Sequence, residues 1–194
     1  KLNVFDWLAD MDLHVNQKVF DCVEVRFKNS RKEFYHNINT FSLTTGDVIA
    51  VGKNVTTWAL GQRVFGSVKF GAYATVIDAS SDRIQALPDD WSYAEGAAFL
   101  VQTFAAWYAL KHLGDAKSGD TVLIHSAAGG VGLQALRIAQ KMGLHTIGTV
   151  GNGDKKEFLQ TQGFDHVIVR EKDFAAQLQT ALNGRPLRVV LDAV

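Results

Sequence analysis

Two short clusters in this 194-residue chain have residue types and spacing suited to holding a phosphate-bearing ligand. The first is TVLIHSAAGGVG, Thr121 to Gly132, where four strand-forming positions lead straight into small residues. Ala127, Gly129 and Gly132 form a small-x-Gly-x-x-Gly pattern between that run and a helix-like one, LQALRIAQKMG. The first small position permits a tight turn. Gly129 lets backbone approach a pyrophosphate, and Gly132 lets the helix pack close to the strand. The start of the helix would add unpaired N–H groups and the positive end of its dipole. The competing reading is a glycine bend that holds nothing, and the strand–helix rhythm around it favours the nucleotide.

The second cluster follows the next strand, in HTIGTVGNGDKKEF. Sites specific for NAD place an Asp or Glu about 20 residues past the glycines, on the ribose 2′-hydroxyl. Thr149 and Val150 stand there instead, and Asn152 and Lys155 follow, polar and cationic groups suited to a 2′-phosphate. NADP(H) therefore fits better than NAD(H). The bland alternative makes Lys155 and Lys156 the solvated first turn of a helix.

Other chemistries find little support. A structural zinc needs about four Cys or His ligands and a catalytic one about three. One cysteine, Cys22, and six scattered histidines supply no such cluster. Cys22 has no nearby base, and no G-x-S-x-G elbow occurs. His125, inside the strand-like run, reads as a packed or hydrogen-bonded core histidine. Tyr35 and Tyr73 are candidate proton donors, although either is more often a packing residue.

The elements that must position these clusters alternate regularly. The first half reads as β-rich, with glycine bends through TGDVIAVGKNV and GQRVFGSVKFGAYATVIDAS, and closes on a turn at Pro88. Ser92 to Gly114 is helical, with Ser92 and Glu95 spaced as a capping box and Gly114 as its C-cap. Strands and helices then alternate to the last strand, RVVLDAV, which predicts βαβ units and a parallel sheet. With 47% hydrophobic and 21% charged residues, a packed core is expected. Twenty basic residues balance twenty acidic ones, so nothing suggests a nucleic-acid stripe. One cysteine and the lack of an apolar run of about 18 residues point to a soluble, cytoplasmic protein with no membrane partner.

On these residues the chain resembles the medium-chain dehydrogenase/reductase superfamily, specifically its zinc-free quinone oxidoreductase (zeta-crystallin-like) branch. The likeness runs from Ile49 to Val194, through GAYATVIDAS, LPDDWSYAEGAAFLVQTFAAWYAL, SGDTVLIHSAAGGVGLQALRIAQKMG and TIGTVGNGDKKEFLQTQGFDHVI. LNVFDW, Leu2 to Trp7, is similar to the family's N-x-x-D segment. The resemblance implies an α/β fold: a partial GroES-like substrate domain over residues 1–88 and a partial Rossmann domain over 89–194, with the active site between them. It implies NADPH-dependent hydride transfer to a quinone or α,β-unsaturated carbonyl, without zinc, and a homodimer. By the same resemblance Asn3 and Asp6 would border nicotinamide and substrate. Gly130 and Val131 would meet the pyrophosphate, and Gly151, Asn152 and Lys155 the 2′-phosphate.

The departures carry information too. The family's strands before LNVFDW and its sequence after LDAV are missing, so a fragment with an uncovered last strand is expected. Residues 8–43 lose the likeness, as a genuine insertion or as sequence from a splicing or frameshift error. Ala105 stands where the family has a threonine, and its tyrosine after the third cofactor-domain strand is not evident near Val169. The alternative function is therefore a nucleotide-binding or interaction protein that keeps the fold without catalysis.

Overall fold

The computed structural model describes residues 22–26, 42–68, 74–170 and 173–192. The chain divides into two compact units between Leu100 and Val101. Among the described residues the first unit holds five antiparallel strands: β1 (Cys22–Arg26), β2 (Ser42–Val51), β3 (Arg63–Val68), β4 (Val76–Ser80) and β5 (Ile84–Ala86). They lie in the order β4-β1-β2-β3-β5. Alternation sets the faces: in β4, Ile77 and Ala79 are buried while Asp78 between them is exposed. These two join Val48, Val64, Val68 and Ile84 in a core against which Val55 and Trp58 pack. Gly66 sits opposite Ile84, and a side chain there would lie 2.3 Å from the Arg83 carbonyl oxygen, so the close strand approach requires glycine.

Helix α1 (Tyr93–Trp107) starts as its sequence predicts. The Ser92 N–H donates to Glu95 Oε2 at 2.7 Å, and the Glu95 N–H donates back to Ser92 Oγ at 3.2 Å, a reciprocal capping box. Trp91, Tyr93 and Phe99 pack with Phe65, Leu87 and Leu100, which keeps the beginning of α1 in the first unit. Tyr93 donates its hydroxyl to Asp47, and the Arg63 guanidinium lies 4.8 Å from its ring centroid. Burial and then the bond to Asp47 raise the Tyr93 phenol above its ordinary value, with Arg63 opposing.

In the second unit α1 continues as a π-helical segment, Tyr108–Leu113. Gly114 caps it without the left-handed conformation a C-cap glycine usually takes: its φ is −81° and its N–H reaches five residues back to Ala109 O. Asp115, at φ 44°, makes the turn instead. Four parallel strands follow, β6 (Thr121–Ile124), β7 (His145–Val150), β8 (His166–Val169) and β9 (Leu187–Leu191). Between them run α2 (Gly130–Met142), α3 (Asp154–Gln162) and α4 (Phe174–Leu182). The sheet order is β8-β7-β6-β9, so the direction of growth reverses at β6. This is the third-second-first-fourth arrangement of a partial Rossmann sheet, whose ligands lie beyond the carboxyl ends of the strands at the reversal. All four residues of β6 are buried, as a strand covered on both faces requires. One side of the sheet centres on Leu123, Ile147 and Ile168, packed with Ala181 and Leu182 of α4.

Candidate phosphate-binding site

The carboxyl end of β6 turns sharply. His125 still belongs to the ladder, its N–H donating to Leu191 O of β9 at 2.9 Å. Ser126 then adopts φ 49°, a left-handed conformation that costs a non-glycine residue about 1–2 kcal/mol. The turn closes through the Gly129 N–H on Ser126 O at 2.8 Å, and the Ala127 N–H ties it to Thr149 O of β7 at 3.0 Å. Ala127 is fully buried beneath it.

The glycines that follow do different work. A Cβ on Gly132 would lie 2.5–2.7 Å from Ala127 backbone atoms, so only glycine lets α2 start this close to the strand end. Gly129 is exposed, and a Cβ there would meet only Ser126 O, at 3.1 Å. The Leu133 N–H bonds Gly129 O at 2.9 Å, so the N–H groups of Gly130, Val131 and Gly132 precede the first helical hydrogen bond. Gly129, the N-cap, has no side chain to satisfy them. An exposed glycine beside donors at the positive end of a 13-residue helix fits an anionic phosphate. Ala127, Gly129, Gly130, Val131 and Gly132 are therefore gathered in one turn.

Gln102 escaped the sequence reading. A Cβ on Gly130 would lie 2.3–2.4 Å from the three outer atoms of its carboxamide, so α1 lays this amide directly against the first residue of α2. The only sequence signal is a polar residue inside the apolar stretch FLVQTF.

The neighbouring strand end has another character. Thr149 and Val150 are both buried, and Thr149 Oγ1 sits 2.9 Å from His125 Nδ1. His125 is thus the hydrogen-bonded histidine its setting suggested, with its ring 6.2 Å from that of Phe174. From Gly151 to Lys156 every residue is exposed, and a Cβ on Gly151 or Gly153 would meet nothing within 4 Å. Lys155 and Lys156 do form the solvated first turn of α3, beside Asp154 and Glu157. Gly151, Asn152 and Lys155 accordingly line an open loop at the carboxyl edge of the sheet, next to the β6 turn. Arg170 belongs there as well: its N–H donates to Val150 O at 2.8 Å and its side chain is exposed. As the first residue after the third strand it could have been found by position alone.

Asn3 and Asp6 lie outside the described residues, as do Tyr35 and Tyr73. Among the described residues no three His, Cys, Asp or Glu side chains come together as a metal site, and no helix is long and apolar enough to cross a membrane.

Comparison with known proteins adds a family context. A family model described as "Zinc-binding dehydrogenase" matches residues 130–194. The pikromycin polyketide synthase component PikAII of Streptomyces venezuelae is 38% identical over 152 residues, which are 77% of this chain and 4% of that protein. The solved structure of the CurK enoyl reductase superimposes with a TM-score of 0.70 at 35% identity, covering 78% of this chain and 46% of that one. Escherichia coli quinone oxidoreductase complexed with NADPH superimposes with a TM-score of 0.74 at 30% identity, covering 90% of this chain and 58% of that one. The chain thus spans about half the length of these solved structures.

Proposed function

We propose that the chain belongs to the medium-chain dehydrogenase/reductase superfamily, binds NADPH and directs its hydride, without zinc, to a quinone or an α,β-unsaturated carbonyl. The observation that carries this reading is the β6–α2 turn, where a close-packed Gly132 and an exposed Gly129 leave a cradle at the start of a helix. Gly130, Val131 and Gly132 would hold the pyrophosphate through backbone N–H groups, with the exposed Gly129 letting it approach. Gly151, Asn152 and Lys155 would hold the adenosine end, with the Lys155 ammonium and the Arg170 guanidinium on the 2′-phosphate. The Thr149 and Val150 side chains are buried, so the end of β7 offers no carboxylate to a ribose 2′-hydroxyl. Asn3 and Asp6 are proposed to border the nicotinamide and the acceptor.

When bound, the cofactor supplies the hydride, and the chain's residues orient it and exclude water. Similarity to a quinone oxidoreductase and to an enoyl reductase supports testing both acceptor classes. The test couples a fluorescence titration with NADPH to NADPH-consumption assays on a simple quinone and on a short 2-enoyl thioester. Saturable binding with turnover of one acceptor supports the reading. Binding without turnover of either leaves a nucleotide-binding protein, and no binding of NADPH overturns the proposal.

A further inference from the structure

Resting on the nucleotide reading above, we infer that Gln102 is a positioning residue for the cofactor pyrophosphate, its carboxamide Nε2 adding a side-chain donor beside the N–H groups of Gly130, Val131 and Gly132. The placement is direct. The carboxamide carbon, nitrogen and oxygen would all lie 2.3–2.4 Å from a Cβ on Gly130, so the amide occupies the space that a larger residue would take. Glycine at position 130 therefore does not open an empty gap; it makes room for this amide.

The amide makes no hydrogen bond to another side chain or to backbone among the described residues, although Gln102 is half-buried. A half-buried amide with unused donors loses part of its hydration and recovers it by bonding a ligand. Its neighbours at the helix start are donors too, and the Gly129 cap gives them no side-chain acceptor. A group that accepts from several donors at once, as a pyrophosphate oxygen does, completes the set. The amide oxygen can turn away because Asn and Gln amides offer donor and acceptor on opposite sides. α1 brings Gln102 to this position from outside the strand–turn–helix unit, so the glycine pattern alone could not reveal it.

The test measures equilibrium binding of two probes, NADPH and adenosine 2′-monophosphate, to the full chain and to two variants. Adenosine 2′-monophosphate carries the 2′-phosphate but no pyrophosphate. Gln102→Met, which keeps the length and removes the donor, should weaken NADPH about tenfold, the loss of one charge-assisted bond. Gln102→Glu, nearly isosteric, should weaken it more through repulsion of the phosphates. Neither should change the affinity for adenosine 2′-monophosphate. Unchanged NADPH binding in both variants, or equal losses for both probes, overturns the inference while leaving the nucleotide reading intact. Failure of the unsubstituted chain to bind either probe overturns both.

Discussion

The two turns at the carboxyl edge of the parallel sheet stand side by side and are built in opposite ways. After β6, the turn is built into the packing: Ala127 is buried, Ser126 holds a left-handed φ of 49°, and Gly132 has no room for a methyl group. After β7, Gly151, Asn152, Gly153, Asp154 and Lys155 are all exposed, and the two glycines face open space. The first turn is part of the fold's packing and presents backbone. The second presents side chains to solvent and owes the core almost nothing. Backbone donors recognise what all dinucleotides share, whereas exposed side chains discriminate between them, so stability and specificity should separate along this boundary.

The largest effect should come from Gly132→Ala. Its Cβ would meet Ala127 backbone at 2.5–2.7 Å, and backbone cannot swing aside as a long side chain can. Overpacking of this kind costs about 1–3 kcal/mol. Urea denaturation should show that loss, and NADPH binding should fall with it. A variant as stable as the parent would mean that the β6 turn is as open as its neighbour, and the contrast would collapse.

Lys155→Glu should do the reverse. The side chain is exposed, so the melting temperature should hold, while NADPH weakens roughly ten- to hundredfold through a lost charge-assisted contact and new repulsion. NADH, which lacks the 2′-phosphate, should change far less, and equal losses for both cofactors would refute the specificity argument. Gly151→Asp sharpens it further. The Cβ position is open, so a carboxylate fits there, and the NADPH-to-NADH preference should shift toward NADH by about tenfold without loss of stability. An unchanged preference in titrations with the two cofactors would show that this loop does not contact the ribose.

The parts of this contrast that rest on local chemistry were legible in the sequence. Four strand-forming residues followed by small-x-Gly-x-x-Gly gave the β6 turn, and Ser92 with Glu95 gave the start of α1 to the residue. The role of Gly132 followed from the same pattern. What depends on contact between distant segments was not legible. Gln102 meets Gly130 only because α1 carries it to the start of α2, and Arg170 reaches the end of β7 only because β8 pairs with it. The π-helical end of α1 was also hidden. A Cβ on Gly114 would lie 3.0 Å from both Ala109 O and the Val189 side chain, a restriction set partly by β9, and the reversal moves to Asp115. Thr149 was correctly read as a missing acid, yet its bond to His125 needed two strands side by side.

The smallest effect expected is also the one that bears most directly on the open turn. Gly153 precedes α3 with φ −67° and ψ −29°, values any residue adopts, and a Cβ there would touch nothing within 4 Å. Glycine at such a position only adds freedom to the unfolded chain, so Gly153→Ala should stabilise by about 0.4–1 kcal/mol. An N-cap usually prefers a side chain that can accept, but Gly153 is already helical, so alanine forfeits no cap there. The gain should appear as a small rise in denaturation midpoint, with NADPH affinity unchanged within error. A loss of stability instead would mean that the loop is held by contacts after all, and that the two turns differ less than their burial suggests.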